Sequence, residues 1–244
     1  MRETLEAKAG LLLTLAAPKP GSINRLSLDS EFEGRVLEAL AVLEFIDRAY
    51  ARGRELAEGR ITAQRVGLGG LISSALKSAA QISRLKPVPG LIAAPITLSA
   101  LKALADHQGR GLRESLRQLI LTLLYRSSPE DSLKLVEGLE AVGAARAVEQ
   151  LEKLGVTRSR ISMEALTLGH LYEALSGVDA GFTLNLKDLD RILELSTRIS
   201  SEKSAIKAVV EAYKSLAYER KLLNPGELSV RSLEEFIALD RKLK

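Results

Sequence analysis

The 244-residue chain has no cysteine, no tryptophan and only two histidines, His107 and His170. Without cysteine there is no disulfide, no thiolate zinc site and no cysteine nucleophile. Two histidines do not make a multi-histidine centre, so a metal here would be a hard cation such as Mg²⁺ on carboxylates. His107 follows Asp106 in an expected loop and His170 lies in an apolar stretch near Tyr172, so both read as structural or solvated. Aromatic residues make up only 4%. The core must therefore be built from Leu, Ala, Ile and Val, a palette that favours helix.

Long hydrophobic runs are missing as well. The longest, Val88 to Leu101, is closed off by Lys86 and Lys102 and falls short of the about 20 residues that cross a bilayer. The first residues carry Arg2, Glu3, Glu6 and Lys8 rather than a basic segment before an apolar one, so no secretory leader is read there. The net charge is +4 and the pI near 9.3. Spread over this length, and with no basic run interleaved with aromatics, that charge gives no case for a nucleic-acid partner. The expectation is a soluble, cytoplasmic protein without a membrane partner. Few Asn, two Met and many ion-pairable charges suit a hot environment.

Hydrophobic residues at 46% and charged residues at 27% describe a globular chain with ample length for a core. Helical periodicity dominates. After an apolar opening around Leu11, Glu31 to Ala57 reads as a long helix with Phe32, Val36, Leu37, Leu40, Leu43 and Ile46 inward, and Glu33, Arg35, Glu38 and Glu44 between them. Val66 to Ile82 follows, with Gly69 and Gly70 early, where two glycines need a packing or ligand-approach reason. Leu91 to Ala105, apolar all round, reads as a buried central helix kinked or started near Pro95. Gly109 to Tyr125 comes next, and Ser128-Pro129-Glu130-Asp131 is a helix start with Ser as cap and Pro in the first turn. Further helices are read from Ser162 to Leu175, Asn185 to Ile199 and Glu202 to Leu223, and from the capping box of Ser232 and Glu235 to Leu243. With no strand pattern and no linker, the expectation is a single all-α domain over residues 1–244, a bundle of roughly nine or ten helices.

The sharpest local signal is Ala16 to Arg25, Ala-Ala-Pro-Lys-Pro-Gly-Ser-Ile-Asn-Arg. Pro18 and Pro20 fix φ and push Ala17 and Lys19 to extended backbone, and Gly21 frees the next turn. Lys19 and Arg25 on stiff backbone suit a phosphate-bearing ligand. The same spacing also describes an ordinary connector with solvated cations.

Leu11 to Arg25 resembles the start of the triphosphoribosyl-dephospho-CoA synthase family, especially its shorter archaeal-type members. Pro18, Lys19, Pro20, Gly21 and Arg25 match that family's Pro-Lys-Pro-Gly and following Arg, and Asn24 stands where the family has Asp or His. Further on, Gly90 keeps the glycine ahead of the family's apolar helix, while Lys86, Pro87, Val88 and Pro89 replace its Asn-Thr-Asn or Asn-Thr-His. Asp131 occupies a family-type Asp position, with Gly138 to Gly143 in the place of a Gly-rich turn, and Asp179 falls where relatives carry another Asp. Ser196 replaces an expected carboxylate, and Asn224-Pro225-Gly226 resembles the near-terminal Asn-Pro-Gly.

The resemblance implies transfer of the 5-triphosphoribosyl group of ATP to the 2′-hydroxyl of 3′-dephospho-CoA, with release of adenine. It implies Lys19, Gly21, Asn24, Arg25 and Gly90 at the nucleotide, Asp131 and Asp179 as catalytic carboxylates, and Asp29 toward Mg²⁺. As the alternative, the missing amides, the missing carboxylate and the altered segment after Gly226 suit a degenerate member. Such a chain would keep the fold as a nucleotide-binding or helical interaction protein, with homo-oligomerisation left open.

Overall fold

The computed structural model describes residues 3–17, 31–200, 202–219, 234–235 and 237–239. Lys19, Gly21, Asn24, Arg25 and Asp29 therefore lie outside the described residues, as do Asn224-Pro225-Gly226 and Ser232. Among the described residues there are eleven α-helices up to Glu219, further helical residues at 234–235 and 237–239, two short 3-10 turns and no strand, so the chain is an all-α multi-helix bundle.

The helices are α1 (Leu5–Ala16), α2 (Glu31–Ala57), α3 (Leu68–Ser83), α4 (Pro89–His107), α5 (Leu112–Leu123), α6 (Pro129–Ala141), α7 (Ala145–Lys153), α8 (Arg158–Met163), α9 (Leu168–Leu175), α10 (Leu189–Ser200) and α11 (Ala205–Glu219). The two 3-10 turns are Ala63–Arg65 and Ala180–Phe182. α2 lies against both α3 and α4, α6 covers α3, α5 covers α4, and α1 rests on α2 and α4. As its composition predicts, α4 is buried on nearly every side, with Ile92, Ile96, Ala100, Leu101 and Leu104 in the continuous core. It crosses α2 closely because Gly53 has no Cβ, an atom that would meet the Ala100 carbonyl oxygen at 2.4 Å. Among the described residues no helix is long and apolar enough to cross a membrane.

Several boundaries differ from expectation, each for a local reason. α4 starts at Pro89, before Pro95, because Pro89 takes the first helical position, where its missing N–H costs nothing. The stretch read as one helix from Ser162 is two helices. Ser162 lies within α8, and α9 starts after Thr167, whose N–H is accepted by the His170 ring at 3.1 Å. α7 has no counterpart in the sequence reading; it is nine residues long and buries only Ala147 and Leu151. Gly138 belongs to α6 rather than to a loose turn, and a Cβ there would lie 2.7 Å from Ser73 of α3.

The inward face of α2 is also rotated from the expected one. Leu37 and Leu40 are exposed, while Arg35 and Glu38 are buried beside Ala39, Val42, Phe45 and Ile46. The turned face meets backbone polar groups that an apolar stripe would leave unpaired.

Candidate functional site

The site grows out of the Lys86-Pro87-Val88-Pro89-Gly90 loop between α3 and α4. Two prolines remove two N–H groups and stiffen φ, which leaves the Lys86 carbonyl and the Val88 and Gly90 N–H groups to be satisfied. α2 takes the first two. Arg35 Nη1 donates to the Lys86 carbonyl at 2.7 Å and to Glu38 Oε2 at 2.6 Å. Glu38 Oε1 accepts from the Val88 N–H at 3.0 Å, and Arg35 Nη2 reaches Glu31 at 3.2 Å. Glu38 is 1% exposed. Burial pushes its carboxyl above the usual range, while Arg35 and the Val88 N–H pull the other way.

The Gly90 N–H goes to the far side of the chain. Asp179 Oδ2 accepts it at 2.7 Å across 89 positions of sequence, and Asp179 Oδ1 accepts from the Gly181 N–H at 2.9 Å. A Cβ on Gly90 would lie 1.9 Å from Asp179 Oδ1, and one on Gly181 would lie 2.2 Å from the Gly90 backbone. Backbone is the obstacle at Gly181, whereas at Gly90 it is the Asp179 side chain. The carboxylate occupies the positive end of α4 and joins it to the Ala180–Phe182 turn.

Two clefts open on either side of this junction, and Val88, Asp179 and Ala180 border both. One, of about 470 Å³, has Lys86, Pro87, Pro89, Arg146 and Val178 around it. The other, of about 540 Å³, lies between α1 and α4 and is walled by Glu6, Leu11, Leu91, Pro95 and Leu98. Both volumes suit a small-molecule ligand.

Asp131 stands apart from these clefts. It lies in the first turn of α6, where Ser128 Oγ accepts its N–H at 3.2 Å, as expected of a capping serine. Its own carboxylate crosses to α3, where Oδ1 accepts the Gly70 N–H at 3.1 Å. Asp131 is 3% exposed. Burial raises its carboxyl above the usual range, partly offset by N–H groups of Gly69, Gly70 and Leu68. Gly69 and Gly70 thereby acquire their packing reason, since a Gly69 Cβ would lie 2.0 Å from the Asp131 carbonyl oxygen.

Of the residues singled out in the sequence, the fold joins Gly90 to Asp179 and leaves Asp131 under α3. Among the described residues no three His, Asp or Glu side chains gather to hold a metal ion. Arg35, Glu38 and Gly181 were not foreseen. The available signal was weak: Gly34, Arg35 and Glu38 share one helix face opposite a proline-rich loop short of N–H donors. No family model, curated protein or solved structure matches the chain.

Proposed function

We propose that this chain is a non-catalytic nucleotide-binding protein that keeps the framework resembling the triphosphoribosyl-dephospho-CoA synthases and holds its ligand in the clefts beside Val88 and Asp179. The observation that carries this reading is how the two candidate catalytic carboxylates are engaged. Both Asp179 oxygens accept backbone N–H groups, and Asp131 is buried against the start of α3. A general base must have an oxygen within reach of the proton it takes; Asp131 is buried away from both clefts, and Asp179, which borders them, has each of its oxygens engaged by a backbone N–H. Cleft size and the two rigid prolines support binding of a preorganised kind.

A second reading is the transferase itself, favoured by the direct bond between Gly90 and Asp179, two positions that the resemblance picks out independently. In that chemistry, C1′ of the ATP ribose exchanges adenine for the 2′-oxygen of 3′-dephospho-CoA. The hydroxyl loses a proton to a base, and the adenine nitrogen leaves with the bonding pair.

Calorimetric titration with ATP, with and without Mg²⁺, paired with an adenine-release assay in 3′-dephospho-CoA, separates the readings. ATP binding without adenine release is the expected result. Adenine release that is lost in Asp179→Asn would replace the first reading with the second. An absence of ATP binding up to millimolar concentration would remove both.

A further inference from the structure

The roughly 470 Å³ cleft carries two cations from elements far apart in sequence, Lys86 of the proline-rich loop and Arg146 of α7. Neither forms an ion pair with another described residue. The surrounding walls are Pro87, Val88, Pro89 and Val178, with the small turn Gly143 to Ala145. We propose that this cleft is an organic-phosphate site in which Lys86 and Arg146 grip the anionic group while the proline and valine walls take the uncharged part of the ligand. The assignment rests on the nucleotide-binding reading and moves the phosphate contact from the Pro18–Arg25 turn to this cleft.

Three features carry it. First, the backbone that presents Lys86 is held from both sides. Its own carbonyl is fixed by Arg35 at 2.7 Å, and the next two N–H groups are fixed by Glu38 at 3.0 Å and by Asp179 at 2.7 Å. A cation on pre-ordered backbone loses less freedom on binding than one on a mobile loop. Second, Arg146 lies in the first turn of α7, where a positive side chain opposes the helix dipole. Helix stability does not explain its position, whereas an anion in the cleft does. Third, Asp179 borders the cleft, but each of its oxygens already accepts an N–H bond, which partly offsets its charge. Lys supplies a point charge and Arg a two-pronged donor, a pairing suited to a terminal phosphate.

The test titrates ATP, adenosine and inorganic tripolyphosphate into the full chain and into the double variant Lys86→Gln/Arg146→Gln. Both side chains are exposed, so the variant should keep the wild-type circular dichroism and melting profile. The wild type is expected to bind ATP and tripolyphosphate, with both affinities falling as salt rises. The variant is expected to weaken both by roughly tenfold or more and to leave adenosine affinity unchanged. Equal ATP binding by both proteins overturns the site while leaving the nucleotide reading in place. Tripolyphosphate binding that is lost in the variant, without any ATP binding by the wild type, keeps the anion site and removes the nucleotide reading. A wild type that binds neither ATP nor tripolyphosphate overturns both.

Discussion

α3 and α4 each begin with a glycine N–H given to an aspartate from elsewhere in the chain, Gly70 to Asp131 at 3.1 Å and Gly90 to Asp179 at 2.7 Å. In each case an added Cβ would collide, at 2.0 Å on Gly69 and 1.9 Å on Gly90. The obstacles differ in kind. Gly69 faces the backbone carbonyl of Asp131 within α6, whereas Gly90 faces the end of a half-buried side chain beside open clefts. The Asp131 junction is two helices locked backbone to backbone. The Asp179 junction combines a backbone contact, Gly181 against Gly90, with a carboxylate clasp whose side chain borders the clefts, and it is backed from the other side by Arg35 and Glu38. A ligand in the clefts can touch the Asp179 carboxylate, whereas the Asp131 carboxylate is 3% exposed, so the half-buried clasp is where binding chemistry belongs.

The largest way to break the comparison is to remove the backing. Arg35→Ala would strand Glu38, 1% exposed, as an uncompensated charge, and the expected loss is about 3–4 kcal/mol in urea unfolding. Adding Glu38→Gln to that variant should recover part of the loss, because the stranded group becomes neutral. If Arg35→Ala costs no more than a surface substitution, the loop is held by something else.

Next come the two glycines. Gly69→Ala should cost about 3 kcal/mol, since an α6 carbonyl can move only if the helix moves with it. Gly90→Ala should cost about 1 kcal/mol, the value of a lost cap, as the Asp179 carboxylate swings into the cleft. Equal costs in chemical denaturation would mean that the clasp is as rigid as the helix pair.

These residues also show what sequence alone reveals. The all-α class, the buried α4 and the Ser128 cap follow from composition and periodicity, because burial of an apolar stripe and capping of a helix start are local, repeating requirements. Gly69 and Gly70 stand out in the sequence as glycines needing a reason and Gly90 through the resemblance alone, and the reasons are contacts 61 and 89 positions away that no local pattern encodes. Arg35 and Glu38 were misplaced because charge on a helix normally marks its solvated face. Here the buried charges pair with each other and with a loop that proline has stripped of N–H donors. The helices α7 and α8 escaped because nine and six residues give too few turns for a period to show. Asp131 and Asp179 were picked out for catalysis, and the geometry gives both of them capping bonds that spacing cannot predict.

A finer contrast lies in how many carboxylate oxygens each clasp uses. Asp179 uses both, so Asp179→Asn must turn an amide NH₂ toward the N–H of Gly90 or Gly181, at a cost of about 1 kcal/mol. Asp131 Oδ1 takes the Gly70 N–H, while Oδ2 is buried with no hydrogen-bond partner among the described residues. Asparagine can keep the oxygen where it is used and remove a buried charge where it is not. Asp131→Asn should therefore leave stability at neutral pH unchanged or slightly raised.

The pH dependence sharpens this last point. Burial raises the Asp131 carboxyl in the folded state above its unfolded value, which is about 3.9. Below about pH 4 the group is protonated in both states and the wild type has its full stability from this site. As pH rises through the folded value, the native state comes to hold a desolvated carboxylate, and that stability is lost. The amide of the Asp131→Asn variant never ionises, so stability of the variant relative to wild type should climb from pH 4 toward neutrality and then level off. Glu38, also raised by burial, contributes with the same sign in both proteins and cancels in the difference. A difference that stays flat across this range would mean that the Leu68–Gly70 N–H groups offset the burial of Asp131 fully. The two clasps would then differ in access to the clefts and not in electrostatic cost.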